Sequence, residues 1–574
     1  MKTAINPRVY HWMLLSILCL GLFLRVYKIN TLPAGLHRDE ASVGYNAYLL
    51  FHTFRDEHGK FLPLVFEAFG DWKRPINIYL SALLIPITGM SVATVRLPVA
   101  LFGWVTILLM YLIVVHISKN KIIGLLSAFI LAISPWHIYM SRTGLGWNVV
   151  GLTVFLLACY WLLLGKKSRT YTFLSGGAFG LSLFTYASNQ FITPLFITFF
   201  ALWQVIQTKK ISVKWEFTFP FLMLFILFIS IYLPVMRENS IGSSFFTENF
   251  KYHSVEIPYS EHDTINEARI FHNKMSGWVE KYAQNYLQLF SPQFLLYNSA
   301  DNPSYSLKNF GNIHFFEIVF VVVGAYALLR YKFPYYLFIL ALVFITPIPA
   351  ALTQSPTSST RSLMWVPVLS LFIALGIYHL YIFLKAKKVL YGYIFFGLLM
   401  VYYGASLLKL SDEYLTHFPV NRGEHWGYAQ KQLVDYLATN AQNYDEVLIS
   451  RPHETFYIYL MYYSFFDKYT PSQIEHYPKS ADGFVYAKSL DKYSFREIEY
   501  LEDLRVPNRL IIDKTLDMHE LATPSSYLSS VDDPRGSLYT EVKVEETIRL
   551  VDGTPVYSIL STSKLKTIEE LGKL

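Results

Sequence analysis

Charge is scarce in this chain. Asp, Glu, Lys and Arg make up 16% of its 574 residues, against about a quarter in an ordinary soluble domain. Apolar residues make up 53%, with 44 Phe and 43 Tyr among the whole. A soluble fold of this length would expose far more Lys and Glu, so the chain reads as a polytopic membrane protein. Cysteine is nearly missing too. Cys19 and Cys159 fall inside apolar runs on different predicted helices and read as small core residues rather than a disulfide. No CxxC and no His/Cys cluster suggests structural zinc. Gly-x-Gly-x-x-Gly and the Walker pattern are both missing, so nucleotide hydrolysis has no support. No internal repeat or low-complexity tract is visible. The first apolar run lacks a small-residue cleavage site and is expected to stay as a helix.

Apolar runs of spanning length follow one another along the first four hundred residues. They cover Val9–Tyr27, Leu97–Ile117, Ile122–Met140, Val149–Leu164, Tyr171–Ala187, Phe191–Ile206, Phe217–Val235, His314–Leu329, Phe333–Ala350, Leu363–Leu384 and Val389–Leu408. That is about 11 transmembrane helices. The modest basic excess of the chain lies mostly in short loops between them. Lys2 and Arg8, Lys119 and Lys121, Lys166, Lys167 and Arg169, Lys209, Lys210 and Lys214, Arg330 and Lys332, and Lys385, Lys387 and Lys388 all fall on one side if the N-terminus is cytoplasmic. The external loops are then about residues 28–96 and 236–312, and the tail lies outside the cell membrane. The run Ile76–Thr88 is short and contains Pro86; spanning would reverse every later loop, so it is expected to lie on the outer surface as an amphipathic helix. Arg25 and Lys28, at the outer end of the first span, are expected to snorkel.

The chain changes character after residue 410. Residues 1–410 read as a membrane domain and 411–574 as an extracytoplasmic soluble α/β domain of ordinary size. Glu446–Ser450 and Arg509–Ile512 read as buried strands, Tyr428–Ala438 and Thr455–Phe466 as helices.

The residues that could carry chemistry gather in the first external loop. Asp39 and Glu40 stand within a residue or two of the membrane's edge, where carboxylates are costly to keep. A carboxylate partly shielded from water makes a general base; alternatively Asp39 caps a helix starting near Ala41. Lys73 and Arg74 follow in the same loop, and Arg142 and Arg361 sit at outer ends of later spans, against the positive-inside trend. Lys with Arg is what a phosphate leaving group requires. Acid and base together at the lip of a bilayer suggest a substrate whose leaving group is a lipid phosphate. Elsewhere, Glu261-His262-Asp263 hints at a metal, but three adjacent residues cannot all face one ion. Asp532-Asp533 reads as a turn before Pro534.

Several segments, in order, resemble the GT-C class of lipid-phosphate-sugar-dependent glycosyltransferases, which includes the protein O-mannosyltransferases and the lipid A aminoarabinose transferases. His37-Arg38-Asp39-Glu40-Ala41 resembles the family's acidic motif. Asp71-Trp72-Lys73-Arg74-Pro75-Ile76-Asn77-Ile78-Tyr79 resembles its DxKPPLYxY segment, with Arg74 where proline is common. Val95-Arg96-Leu97-Pro98, Ser134-Pro135-Trp136-His137 with Ser141-Arg142-Thr143, and Phe294-Leu295-Leu296-Tyr297 with Asp301-Asn302-Pro303-Ser304-Tyr305-Ser306 follow, Ser304 standing where the family often has arginine. Pro349–Ser362 resembles a Pro…Leu-Thr…Pro…Arg-Ser loop. The likeness covers the first four hundred residues and the tail only loosely.

The resemblance implies a sugar transferred from a polyprenyl-phosphate donor to an extracytoplasmic acceptor, whether lipid, glycan or protein. It carries the base over to Asp39, with Glu40 beside it, and the donor phosphate to Lys73; Arg74, Arg142 and Arg361 extend that role on chemical grounds. His37, Asp71, Tyr79, Asp301 and Asn302, in the matching segments, carry over as substrate-binding residues. One carboxylate suffices for a single inverting displacement. No cofactor is implied, a divalent metal has no support, and no nucleic acid is expected. Two other readings stand beside this one. A non-catalytic polyprenyl-lipid transporter or flippase would be expected to show repeats and mid-membrane charges. An oligosaccharide-transferring GT-C ligase is compatible with the long external segment.

Overall fold

In the computed structural model the described residues are 6–209, 214–238, 270–271, 273–298, 300, 302–353, 355–450, 455–464, 467, 470–480, 484–514, 526–530, 538–563 and 566–567. They form two compact units. The first comprises Met1–Ile29, Arg74–Asn77 and Val95–Thr416; the second comprises Asn30–Lys73, Ile78–Thr94 and His417–Leu574.

The first unit is helical. Every one of the eleven apolar runs forms helix: α1 (Pro7–Val26), α4 (Val92–Ser118), α5 (Lys121–Ile133) with α6 (Pro135–Ser141), α7 (Trp147–Leu164), α8 (Arg169–Ser182), α9 (Ala187–Thr208), α10 (Trp215–Glu238), α12 (Glu317–Arg330), α13 (Tyr336–Ile345), α14 (Val366–Lys387) and α15 (Val389–Asp412). Among the described residues seven helices are long and apolar enough to cross a membrane, or eight if the α5–α6 pair, bent by 58°, is one span. The helices α8, α12 and α13 have 14, 14 and 10 residues, shorter than the ~20 a straight crossing takes. A further helix, α11 (Lys274–Leu289), precedes α12.

The bend has a local cause. Pro135 has no N–H, so the carbonyl of Leu131 loses its partner, and the chain turns at Ser134. Ser134 then starts α6 by accepting from the backbone N–H of His137 at 3.4 Å. The freed carbonyls are met from outside the helix. Arg25 donates to Leu131 at 3.3 Å and to Ala132 at 3.1 Å, and a ring nitrogen of His314 lies 3.1 Å from the carbonyl of Ile133. Arg25 is therefore fully buried. The snorkelling expected of it is wrong, because its guanidinium serves the broken helix; Lys28 does stay exposed. Cys19 is exposed on α1, not a core residue as expected, since that helix keeps little of its surface buried; Cys159 is half-buried, and both thiols are free.

Helices α12 and α14 meet through two glycines. A side chain on Gly324 would strike the backbone of Phe372, and one on Gly376 the backbone of Phe320. Close approach through small residues is how helices associate where burial of apolar surface gives no net drive.

The second unit contains a mixed sheet. Its strand order is β11-β9-β10-β7-β3-β6-β5-β4, with β8 also on β9. The two strands expected from sequence, β3 (Glu446–Ser450) and β7 (Arg509–Asp513), are its central parallel pair, and β3 is also parallel to β6 (Tyr493–Arg496). The remaining strands are β4 (Ile474–His476), β5 (Ala487–Leu490), β8 (Ser526–Ser530), β9 (Leu538–Arg549), β10 (Pro555–Thr562) and β11 (Lys566–Thr567). Side chains alternate across it. Val447, Ile449, Leu510 and Ile512 face one core with Leu433 and Val434 of α16 (Tyr428–Asn440) and Ile458 and Leu460 of α17 (Tyr457–Tyr463), while Leu448 and Ile511 face another. Both helices were expected. The larger core also takes in Leu36, Ala41 and Tyr45, some four hundred residues away in sequence. These belong to α2 (Arg38–Thr53) and the turn before it. The strands β1 (Phe66–Ala68) and β2 (Asp71–Lys73) form a small hairpin in the same unit. Helix α3 (Pro75–Thr88) buries Ile78, Ala82 and Ile85 and exposes Leu83 and Ile87, an apolar helix with one open face.

Candidate active site

The acidic segment is a helix start. His37 is the N-cap of α2: its imidazole accepts from the N–H of Asp39 at 3.2 Å, and Glu40 reaches back to accept from the N–H of His37 at 3.2 Å. This reciprocal cap assigns different work to the two carboxylates. Glu40 is buried and turned into the cap. Asp39, one position earlier, is free to face out of the helix end. The capping role expected near Ala41 thus falls to His37 and Glu40.

Asp39 meets Lys73. The ammonium lies 2.9 Å from Oδ1; the Lys73 side chain is 3% exposed and that of Asp39 is 25% exposed. The Lys73 ammonium also sits 5.0 Å above the ring of Phe69, a second attractive surface for a cation. Burial pushes the Asp39 carboxyl up, but the neighbouring Lys73 ammonium outweighs it and holds the group below the ordinary carboxylate range. Burial lowers the His37 imidazole despite the two nearby carboxylates, in keeping with a ring nitrogen that accepts rather than donates. The 3.6 Å approach of His37 to Asp39 is therefore a neutral contact.

The tail builds this corner. Gly427 adopts φ +66°, and a Cβ there would lie 2.5 Å from the carbonyl of Leu36; only glycine combines that φ with that approach. The ring of Trp426 stands edge-on to His37 with centroids 5.9 Å apart. The Arg38 guanidinium lies 5.5 Å over Phe484, and the N–H of Val485 donates to the carbonyl of Phe69 at 3.1 Å. The cap, the carboxylate and the hairpin that presents Lys73 are thus held by residues of the tail.

A second polar pair was missed by sequence reasoning. Asn46 lies seven residues on from Asp39, on the same face of α2. It donates to the Glu57 side chain at 2.9 Å and accepts from the Glu57 N–H at 3.1 Å. Burial raises the Glu57 carboxyl above its ordinary range. The i, i+7 spacing of Asp39 and Asn46 was its available signal.

The other expected residues are placed as follows. Asp71 is exposed and accepts from its neighbour Trp72 at 2.7 Å. Tyr79 donates its hydroxyl to the carbonyl of Pro63 at 3.2 Å and packs edge-on against Phe66. In the first unit, Arg74 donates to Gln190 at 3.2 Å beneath the ring of Tyr232. Arg142 is buried and donates to the carbonyls of Leu24 and Tyr27 at 2.7 and 2.5 Å, closing the end of α1. The half-buried Arg361 donates to the carbonyl of Ser355 at 3.2 Å. Asn302 caps a short turn by accepting from Ser304 at 2.9 Å. Asp301, Glu261-His262-Asp263 and Asp532-Asp533 lie outside the described residues. Within one unit, then, His37, Asp39, Glu40 and Lys73 form one constellation, which Asp71 and Tyr79 do not join through the contacts given above. Among the described residues no group of three or more His, Cys, Asp and Glu is placed to hold a metal ion.

Comparison with known proteins adds the following. A search of curated protein sequences finds no significant match. By structure the chain is similar to the apo oligosaccharyltransferase of Archaeoglobus fulgidus, at 13% identity and TM-score 0.46, covering 90% of this chain and 71% of that one. It is similar to ArnT from Cupriavidus metallidurans bound to undecaprenyl phosphate, at 10% identity and TM-score 0.48, covering 96% and 97%. It is also similar to the arabinofuranosyltransferase AftD from mycobacteria, at 11% identity and TM-score 0.45, covering 98% of this chain and 40% of that one. The sequence profile of the dolichyl-phosphate-mannose-protein mannosyltransferase family matches residues 73–233. That stretch opens on Lys73 and runs through Arg74, the broken α5–α6 helix and Arg142. Residues 73–233 are thus similar to that family, in a chain that has, among its described residues, seven helices long and apolar enough to cross a membrane.

Proposed function

We propose that this protein transfers a single sugar from a polyprenyl-phosphate donor to an acceptor hydroxyl outside the cell membrane, with inversion, and that Asp39 is the general base. The observation that carries the reading is the 2.9 Å pair between Asp39 and the buried Lys73. The name of the matching family, with its dolichyl-phosphate mannose, supports a lipid-phosphate sugar as donor. The acceptor oxygen attacks the anomeric carbon and its proton passes to Asp39. The bond from that carbon to the phosphate oxygen breaks, and its electron pair leaves with the polyprenyl phosphate. Lys73 neutralises the charge that grows on the phosphate. A lysine-paired carboxylate is a weak base, so the arriving phosphate matters twice: it gives Lys73 a second anion and loosens its hold on Asp39. Glu40, committed to the helix cap, maintains the geometry. The distribution of basic loops supports a cytoplasmic N-terminus, a tail on the outer face and a plasma-membrane location. The test uses protein in nanodiscs with a panel of radiolabelled polyprenyl-phosphate sugars and an acceptor extract. Wild type should release polyprenyl phosphate and Asp39→Asn should lose at least a hundredfold in rate. Equal turnover by the variant would remove Asp39 as base. Binding of polyprenyl phosphate by both proteins without any turnover would favour a lipid carrier.

A further inference from the structure

Apolar surface is concentrated in one part of the second unit. Among its described residues nine large apolar side chains are exposed, and seven of them come from two short segments. Phe51, Phe54, Phe61, Leu62 and Leu64 lie in and after the last turn of α2, and Leu83 and Ile87 lie on α3. The longer tail supplies only Val420 and Val551. Single apolar side chains are ordinary on a surface, but a group of them marks a binding face. The two segments are joined. Tyr79 donates to the carbonyl of Pro63 at 3.2 Å, and Tyr79, Leu83 and Ile87 share one face of α3.

The first segment is shaped to show these side chains. The N–H of Leu62 donates to the carbonyl of Phe54 at 2.8 Å and that of Asp56 to Lys60 at 3.1 Å, which closes residues 54–62 into a tight loop. Phe54 has φ +58° and Leu62 φ +41°, a region that costs side-chain-bearing residues free energy. Their side chains are 56% and 43% exposed, so burial within the unit does not offset that strain. The carboxylates of the loop turn inward instead. Asp56 accepts from the N–H groups of His58 and Lys60 at 3.0 and 2.8 Å, Glu57 is bonded to Asn46, and both acids are buried. The cations stay outside. Arg55 lies 5.9 Å over the ring of Phe61, and Lys60 lies 4.8 Å over Trp72 and 3.7 Å from Glu67.

An apolar phase is close by in the chain. The hydroxyls of Thr88 and Thr94 are 2.7 Å apart and Thr94 donates to the carbonyl of Gly89 at 2.6 Å, so the end of α3 is tied to the first turn of α4. Helix α4 is long and apolar enough to cross a membrane.

We propose that residues 51–64 and the open face of α3 dock on the bilayer around α4, with Arg55 and Lys60 on anionic lipid phosphates. A bilayer offers an apolar layer beneath a layer of phosphates, which is the order in which a Phe/Leu surface edged by Arg and Lys can use them. Docking would fix the far end of α2, whose first turn carries Asp39. The proposal does not depend on sugar transfer.

The test uses full-length protein in nanodiscs of phosphatidylcholine, with and without added phosphatidylglycerol. Cys19 and Cys159 are replaced by alanine, and a spin label is attached through His58→Cys on the loop or Asp552→Cys on a tail turn. Both positions are exposed, so the melting temperature should hold. The label at 58 should be open to oxygen and shielded from a water-soluble nickel chelate, and the label at 552 the reverse. Phe54→Ser with Phe61→Ser should return the chelate to position 58. Phosphatidylglycerol should deepen the shielding, and Arg55→Gln with Lys60→Gln should remove that gain, roughly fivefold for each cation. A label at 58 as open to the chelate as the one at 552 overturns the docking. Shielding from both probes overturns it too, because a protein surface then covers the loop. Shielding that ignores both anionic lipid and the two cation substitutions overturns the phosphate contacts.

Discussion

A residue acquires its chemistry from what stands within a few ångströms, and Asp39 with Lys73 is the instance that matters most. The depressed Asp39 carboxyl stays ionised as the pH falls below the ordinary value of about 3.9. Any stability from the pair is present above the unfolded-state value and is lost only as pH falls through the lower folded one. The acid limb of kcat/KM, which reports the free enzyme, should therefore lie below the usual aspartate range. Replacing Lys73 by methionine leaves burial as the dominant influence. The limb should then move up, beyond any drop in rate from loss of the proposed phosphate contact. A limb that stays in place in the Lys73→Met protein would break the link between the two residues. The identities of both were legible in the sequence, because a lip-of-membrane carboxylate and a following basic pair are local features. The separate work of Asp39 and Glu40 was not, since adjacent carboxylates look alike until a helix start turns one of them back on its own cap.

Elements depend on how a break is repaired. The apolar runs predicted helices well because their pattern is local, and the two central strands of the tail emerged for the same reason. Arg25 was misread because a lone arginine at a span's end carries no mark of the carbonyls it will serve. Those carbonyls belong to Leu131 and Ala132, more than a hundred residues away in sequence and released by Pro135. Arg25→Leu leaves them without that donor, and Arg25→Lys keeps the charge but not the planar fork that reaches both. Each variant should lose about 1–3 kcal/mol of stability, seen as a lower melting temperature in detergent by tryptophan fluorescence. A wild-type melting curve for Arg25→Lys would show that a charge near the bend is all that is needed.

At the scale of the whole chain, the corner that holds Asp39 and Lys73 shares a core with the tail. Leu36, Ala41 and Tyr45 lie with Leu433, Val434 and Ile458 in one apolar cluster, and Gly427 lets the backbone of Leu36 come close. No local pattern could announce a partnership across four hundred residues; a shift in composition near residue 410 shows where polarity returns, not what the tail touches. The consequence is testable in the full-length protein. Gly427→Val places a branched side chain at φ +66° and 2.5 Å from the Leu36 carbonyl, two incompatible demands that should cost several kcal/mol locally. Gly553→Val is the control, because Gly553 has φ +86° but open space around it, so it suffers the backbone strain without the clash. Hydrogen exchange then separates the outcomes. The first turn of α2 should lose protection in the Gly427 variant alone, and sugar transfer should fall with it while Asp39 and Lys73 remain in the chain. Equal protection in both variants would mean that α2 holds its own shape without the tail.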